Sequence, residues 1–164
     1  VNFYLIGPGG VMEETYFAAG CFWGVEHKLQ SMPGVKETAV GYMNGHTERP
    51  SYKEVCTDTT GHAEAVKVVF DPSQISFLDL CQKFWEIHDP TTLNRQGPDT
   101  GSQYRSDIYF TTEEQQKQAQ SLLAKIQKNF SAPVVTEILA AQTFYPAEEY
   151  HQKYFIKNGG SCGI

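Results

Sequence analysis

Five consecutive residues, Gly20-Cys21-Phe22-Trp23-Gly24, place a thiol next to two aromatic rings and between two glycines. The pattern before Gly20 predicts a strand, and the 3.6-residue period after it predicts a helix, so Cys21 falls at the junction. N–H groups at a helix start carry partial positive charge and stabilise a thiolate. We therefore predict a reactive cysteine beside a small apolar pocket walled by Phe22 and Trp23. A structural cysteine in an aromatic core fits the same residues.

A carboxyl group falls on the apolar side of another predicted strand. The stretch from Ala63 to Phe70 reads as a strand, and alternate side chains share a face, so Glu64 points the same way as Val66 and Val68. Burial raises the pKa of a carboxyl group, which suits a general acid near neutral pH. A glutamate at a strand end also fits a side chain that reaches water.

A long polar segment is the third feature that could do chemistry. Residues 91–105 have no apolar period, and structureless loops of this length are uncommon in compact domains and often functional. The second half of the segment holds Asp99, Gln103, Tyr104 and Arg105. These residues fit either the wall of a pocket or a solvated loop.

The elements that must position these groups form a recognisable order. The sequence predicts strands at 15–19, 35–43, 63–70, 107–110 and 134–139, with residues 44–62 and 91–105 as loops. Helices are predicted at 22–32, after the cap Ser76 with Asp79, from Thr112, and at 147–155. The order predicts an α+β fold, a two-layer sandwich with a ferredoxin-like split βαβ core. Helices pack on its mixed sheet, and a mobile C-terminal tail follows.

Composition narrows the class of protein. The 164 residues suit one domain, which we expect at 15–164, after a flexible lead at 1–14 left by cloning or processing. Thirteen basic against nineteen acidic residues give a net charge of −6, which argues against nucleic-acid binding. Four cysteines are too few for a disulfide scaffold, and no apolar run is long enough to cross a membrane. We expect a cytoplasmic monomer, with import into an organelle left open.

Short motifs follow one another along the whole chain. After the pentapeptide at 20–24 come Gly41-Tyr42 with Gly45, Tyr52 with Glu54-Val55, the stretches 60–64, 88–90 and 96–106, Phe144-Tyr145, and 147–152. This ordered set resembles the peptide methionine sulfoxide reductase A family over about residues 15–163. The resemblance implies an oxidoreductase that reduces the S epimer of methionine sulfoxide, free or protein-bound, in protein repair under oxidative stress.

The resemblance also implies roles for the reacting groups. Cys21 is implied as the nucleophile that attacks the sulfoxide sulfur, and Glu64 as the acid that protonates the oxygen. Tyr52 and Tyr104 are implied as hydrogen-bond donors to that oxygen.

The substrate pocket and the electron source follow from the same resemblance. Phe22 and Trp23 are implied to cradle the S-methyl group, and Asp99 to help place the substrate, with no metal or organic cofactor. Cys162 is implied to convert the sulfenic acid left on Cys21 into a disulfide, which thioredoxin then reduces. Gly160-Ser161 stands where relatives often carry an aromatic residue before the tail cysteine.

The residues themselves leave two other classes of function open. A cysteine hydrolase would pair Cys21 with a histidine base, for which the chain offers His27, His46, His62, His88 and His151. A non-enzymatic module that binds methionine-rich peptides would need no acid beside the thiol. A dithiol oxidoreductase is disfavoured because no C-x-x-C motif is present.

Overall fold

The computed structural model describes residues 6–7 and 10–159 of the chain. Its strands are β1 (Ile6–Gly7), β2 (Gly10–Val11), β3 (Glu13–Ala19), β4 (Val35–Met43), β5 (Ala63–Phe70), β6 (Arg95–Gln96), β7 (Asp99–Thr100), β8 (Ser106–Phe110), β9 (Glu137–Ala140) and β10 (Tyr145–Pro146). Its α-helices are α1 (Phe22–Gln30), α2 (Tyr52–Val55), α3 (Phe77–Glu86), α4 (Glu113–Ile126) and α5 (Tyr154–Asn158). Three 3₁₀ turns cover Ser102–Tyr104, Gln127–Asn129 and Glu149–His151.

Six strands form one mixed sheet in the order β10-β4-β5-β3-β8-β9. Neighbouring strands are antiparallel except β8 and β9, which are parallel. The pairs β1-β2 and β6-β7 form separate two-stranded sheets. The predicted α+β class, with helices packed on a mixed sheet, is confirmed.

Apolar side chains cover both faces of this sheet. On one face, sheet residues such as Phe17 and Val66 pack with Leu29 of α1 and Phe84 of α3 in the larger core cluster. A smaller cluster on the other face gathers Ala65 and five similarly buried residues, with Phe144 packed against it. Burying one such Leu or Phe side chain stabilises the fold by about 1.5–3 kcal/mol. Glu64 alternates with Ala65 and therefore faces the helices, as the sequence predicts.

Local sequence explains where the helices begin. Ser76 and Asp79 form a reciprocal capping box at the start of α3, as predicted, and Thr112 caps α4. Ser51 and Glu54 form a second capping box that starts α2. The prediction of a loop over 44–62 was therefore wrong at Tyr52–Val55, and the rest of the segment has no helix or strand.

Three other segments differ from the prediction because tertiary hydrogen bonds compete with local pattern. The strand predicted at 134–139 is β9 and begins at Glu137, since the Val135 N–H binds the Pro90 carbonyl at 2.8 Å outside the sheet. The helix predicted over 147–155 is interrupted at Lys153, whose φ is 53° and whose N–H binds Glu26. The loop predicted at 91–105 contains the β6-β7 hairpin and a 3₁₀ turn.

The central strand starts earlier than its apolar pattern indicates. Glu13 and Glu14 pair with Phe70 and Val69 of β5, so these two residues belong to the sheet and not to the predicted lead. Met12, just before them, is buried. Within the described part of the chain, no helix has the length and apolar character needed to cross a membrane.

Candidate active site

Cys21 lies between β3 and α1, at the position that caps the helix. Gly20, just before it, has a φ of +99°, a conformation that L side chains rarely adopt, and this turns the chain sharply into α1. Cys21 is partly exposed, whereas Phe22 is buried beside it. The strand-to-helix junction predicted for Cys21 is confirmed. Cys21 is the residue at the N-terminus of α1, the end of the helix that carries partial positive charge.

Glu64 lies beside that helix start and is almost completely buried. Its Oε1 atom accepts a hydrogen bond of 3.1 Å from the Phe22 N–H, and Tyr42 is its cross-strand partner on β4. Burial raises the pKa of the Glu64 carboxyl to about 8; the Phe22 N–H opposes that rise in part, and the charge of Asp99 adds to it. At neutral pH the carboxyl group therefore holds a proton next to the residue that follows Cys21.

Tyr104, in the 3₁₀ turn before β8, belongs to the same group of side chains. Burial raises its pKa, and so do the charges that Glu64, Asp99, Cys56 and Cys21 carry when they are ionised, in that order. These charges act on one hydroxyl because the loop, the strand and the helix start converge there. Tyr104 consequently keeps its hydroxyl proton at any physiological pH.

Tyr52 is the first residue of α2 and is held by its backbone as well as its ring. Its N–H donates to Glu148 Oε2 at 3.0 Å, while Oε1 of the same carboxylate accepts from the Tyr42 hydroxyl at 2.9 Å. The ring packs 4.6 Å from the His151 ring, centre to centre. Burial raises the pKa of Tyr52, as does its hydrogen bond with Cys56, so this hydroxyl also stays protonated.

The aromatic wall beside Cys21 is fixed by residues near the end of the chain. Trp23 Nε1 donates to His151 Nδ1 at 2.9 Å, and the indole stacks on Tyr154 with centroids 3.9 Å apart. Because Nδ1 accepts this bond, the neutral His151 ring carries its proton on Nε2, and burial lowers the pKa of His151. Phe22 packs against the same imidazole at 5.3 Å.

The polar loop at 91–105 divides between the site and its support. The charge of Asp99 acts on Glu64, and Glu64 and Asp99 both act on Tyr104, as groups in one pocket wall would. Arg105 instead binds Asp107 at 2.9 Å and the Gly61 carbonyl at 3.0 Å, which anchors the segment before β5. Gln103 is buried, and its Oε1 has no hydrogen-bond partner in the described part of the chain.

Three of the histidines considered as a hydrolase base have other partners. His62 lies between the Gly45 N–H at 3.1 Å and the Thr47 carbonyl at 2.7 Å. His88 contacts the Phe84 carbonyl and the Ser106 hydroxyl, and burial lowers its pKa to about 4. His151 accepts from Trp23. These side chains therefore work as structural hydrogen-bonding groups.

Sequence reasoning did not find the supporting residues Glu148, Gln96 and Lys153. A buried tryptophan or tyrosine needs a polar partner, but nothing in the sequence says which distant residue supplies it. Of the other cysteines, Cys81 is buried on α3, as predicted, and Cys56 is exposed. Cys162 lies outside the described residues, so its pairing with Cys21 stays a prediction.

Comparison with known proteins supplies independent information. A model of the family "Peptide methionine sulfoxide reductase" matches residues 13–163. Peptide methionine sulfoxide reductase MsrA of Methanosarcina acetivorans is 53% identical over 154 residues, covering 93% of this chain and 82% of the relative.

Solved structures resemble the fold closely. Methionine sulfoxide reductase A of Corynebacterium diphtheriae has a TM-score of 0.84 at 40% identity, covering 96% of this chain and 79% of that one. Mxr1 from Saccharomyces cerevisiae in reduced form has a TM-score of 0.89 at 34% identity, covering 99% and 93%. Mxr1 in complex with Trx2 shares the fold, with a TM-score of 0.64 at 24% identity over 92% and 86% of the two chains.

Proposed function

The chain belongs to the peptide methionine sulfoxide reductase family, and from this premise we propose that it reduces the S epimer of methionine sulfoxide, free or protein-bound. The family makes the chain an oxidoreductase acting on methionine sulfoxide; the choice of epimer is our proposal. The observation that carries the proposed mechanism is the buried Glu64 carboxyl group. It is bound to the N–H of the residue that follows Cys21, and its pKa of about 8 keeps it protonated.

The chemical step needs one nucleophile and one acid. The Cys21 thiolate attacks the sulfoxide sulfur while the Glu64 carboxyl gives its proton to the oxygen. The bond between the methionine sulfur and oxygen and the new bond between the two sulfur atoms then break as the oxygen bonds to the Cys21 sulfur, which releases the thioether and leaves a sulfenic acid on Cys21. Overall, a thiol and a sulfoxide become a sulfenic acid and a thioether, so methionine gains the two electrons that Cys21 loses.

Two hydroxyl groups stabilise the oxygen as it takes up the proton. Tyr52 and Tyr104 both keep their hydroxyl protons, since their pKa values are raised by burial. Hydrogen-bond donors that are aimed in advance at a developing charge lower the barrier without reorganisation. We assign the two tyrosines this role.

The pocket beside the sulfur suits a thioether side chain. Phe22 and Trp23 offer apolar surface for the S-methyl group, and sulfur contacts with aromatic rings are favourable. Asp99 lies on the β6-β7 hairpin, and its charge acts on Glu64; we assign it to placing the substrate. The stack of Trp23 on Tyr154 and its bond to His151 support a wall of fixed orientation.

Completing the cycle requires a second thiol and a reductant. We assign Cys162 to attack the sulfenic acid on Cys21, which releases water and forms a disulfide. A thioredoxin then reduces that disulfide by thiol exchange. The relative Mxr1 has been solved in complex with Trx2. Thioredoxin keeps thiols reduced in the cytoplasm, where we propose that this enzyme acts as a monomer.

The strand order also supports the predicted core. Strands β4, β5, β3 and β8 lie side by side and antiparallel, with α1 joining β3 to β4 and α3 following β5. We assign these elements to a ferredoxin-like split βαβ unit, which places Cys21 and Glu64 on neighbouring elements.

A single turnover on separated epimers tests the proposal. The enzyme is mixed with the S or the R epimer of methionine sulfoxide without reductant, and methionine and titratable thiols are counted. We expect methionine from the S epimer only, with two thiols lost per turnover. Methionine from the R epimer, or none from either, would contradict the proposal.

The matched variant Cys162→Ser isolates the second half of the cycle. It should still make one methionine, lose one thiol, and leave a sulfenic acid on Cys21 that a dimedone probe can trap. Thioredoxin-driven cycling should stop. Steady cycling in this variant would remove Cys162 from the resolving role.

A further inference from the structure

The hairpin β6-β7 carries Asp99, yet it is too small to hold its own position. It consists of two paired residues on each strand, and most of its residues are exposed. An isolated two-stranded hairpin is marginally stable at best, and this one has almost no apolar face to bury. Contacts with the rest of the protein must therefore fix it.

Gln96, a half-buried residue of β6, provides such a contact. Its Oε1 accepts from the Asp89 N–H at 3.0 Å, and its Nε2 donates to the Asp89 carbonyl at 2.8 Å. The amide thus pairs with both backbone groups of one residue, as a neighbouring strand would. Asp89 follows α3, so this pair of hydrogen bonds ties the hairpin to the helix layer.

The aliphatic part of the same side chain lies on the residue before Cys21. A Cβ atom built on Gly20 would be 2.8 Å from Cγ and 2.9 Å from Cβ of Gln96, closer than real Cβ atoms approach. The Gln96 side chain therefore packs directly on the Gly20 backbone. The absence of a side chain at Gly20 leaves room for the hairpin as well as permitting the sharp turn.

We propose that Gln96 is a positioning residue, which clips the Asp99 hairpin to the end of α3 and holds it against Gly20, beside Cys21 and within reach of Glu64. This inference rests on the proposed function, and it adds a residue outside the reacting groups. Gln96 acts by holding the hairpin, which keeps Asp99 near Glu64 and keeps water from the Glu64 carboxyl, and we assign it no contact with the sulfoxide.

The position of the hairpin affects the pKa of Glu64 because of the groups that face its carboxyl. Tyr42 of β4, Tyr52 of α2, Tyr104 and Asp99 all interact with the Glu64 carboxyl. Among these four, Asp99 carries the charge at neutral pH. If the hairpin loosens, Asp99 moves away and water reaches the carboxyl, and both changes lower the pKa of Glu64.

The variant Gln96→Met tests this clip, by which we mean the two hydrogen bonds that Gln96 makes with the Asp89 backbone. Methionine keeps Cβ and Cγ packed on Gly20 but cannot form the two hydrogen bonds that the glutamine amide makes with the Asp89 backbone. We expect the Glu64 carboxyl, followed by ¹³C NMR in the full chain without substrate, to titrate at lower pH than in the wild type. We also expect at least a tenfold lower kcat at neutral pH, with a smaller change in KM. Gln82→Met, on the exposed side of α3, is the matched control and should change neither quantity.

The two readouts separate the possible failures. An unmoved Glu64 titration in a folded Gln96→Met protein would overturn the proposal, even if the rate fell. The NMR titration needs no turnover, so it judges the clip even if the wild type reduces no sulfoxide. In that case the proposed function fails while the positioning role is still decided.

Discussion

Two glutamates, Glu26 of α1 and Glu64 of β5, are equally buried, at 1% and 2% exposure, but their surroundings are opposite. Glu26 accepts from the Thr38 hydroxyl, the Lys153 N–H and the Lys153 ammonium, each at 2.8 Å. Glu64 accepts from the Phe22 N–H at 3.1 Å and feels the negative charge of Asp99. A buried carboxylate is tolerable when paired and otherwise takes up a proton. Partners, not burial, thus distinguish the glutamate that is paired with a cation from the one that holds a proton.

The two carboxyl groups therefore do different work. Glu26 pins the backbone at Lys153 to α1, just before the helix from which Tyr154 stacks on Trp23. Among the described residues, no cation forms an ion pair with Glu64, which stays available to give a proton. One group fixes the shape of the pocket wall, and the other supplies the chemistry proposed for the pocket.

Glu64→Gln should have the largest effect on the reaction. The amide keeps the size of the side chain but has no acidic proton, so we expect single-turnover reduction to slow by about 100-fold to 10,000-fold. Rapid-quench measurement of methionine from the S epimer checks this. The matched variant Glu26→Gln should retain most of the rate in its folded fraction. An equal loss of single-turnover rate in both variants would contradict the different roles assigned to Glu64 and Glu26.

Glu26→Gln should instead have the largest effect on stability. The change leaves the Lys153 ammonium without its carboxylate, although that ammonium is partly exposed to water. We expect a loss of about 2–3 kcal/mol in the free energy of unfolding, measured by urea denaturation near neutral pH. Glu114→Gln, on the surface of α4, removes the same charge and should be nearly neutral. An unchanged unfolding midpoint for Glu26→Gln would show that the pair contributes nothing.

Glu64→Gln should stabilise the protein at alkaline pH. The pKa of Glu64 is about 8 in the folded state, above that of an unfolded glutamate. The folded state therefore binds more protons, and its stability falls as pH rises from the unfolded pKa towards 8. The neutral amide escapes this loss, so we expect a gain on the order of 4 kcal/mol at pH 8 and little at pH 4. A gain that does not grow with pH would argue against a raised pKa.

Most of the scaffold around these two glutamates could be read from the sequence. The strand Ala63–Phe70 has its predicted bounds because it is a mostly apolar run that ends before the turn at Asp71-Pro72, and the two-residue period of a strand put Glu64 on the helix-facing side with Val66. The capping box formed by Ser76 and Asp79 could also be predicted from the sequence. The one before α2, Ser51 with Glu54, has the same spacing with a glutamate in place of the aspartate, but it starts a helix of a single turn among turn-forming residues.

The partners of the two glutamates could not be read in this way. Lys153 is 127 residues from Glu26, and His151 is 128 residues from Trp23. Contacts of this kind depend on how the completed sheet brings residues 151–153 onto α1, and the hydrophobic periodicity of the sequence does not predict them. Sequence pattern therefore located the reacting groups, while their electrostatic environments required the structure.

Asp99→Asn should have the smallest effect and sharpens the comparison most directly. Removing this negative charge lowers the pKa of Glu64, by roughly one unit or less, because burial supplies the larger part of the rise. The single-turnover rate should therefore begin to fall at a lower pH than in the wild type, and Glu114→Gln, which changes net charge equally, should leave the profile unmoved. A shift to higher pH would contradict the sign of the argument. A shift matching that of Gln96→Met would mean that the clip acts on the acid mainly through this one charge, whereas a larger shift in Gln96→Met would assign the remainder to water entering beside Glu64.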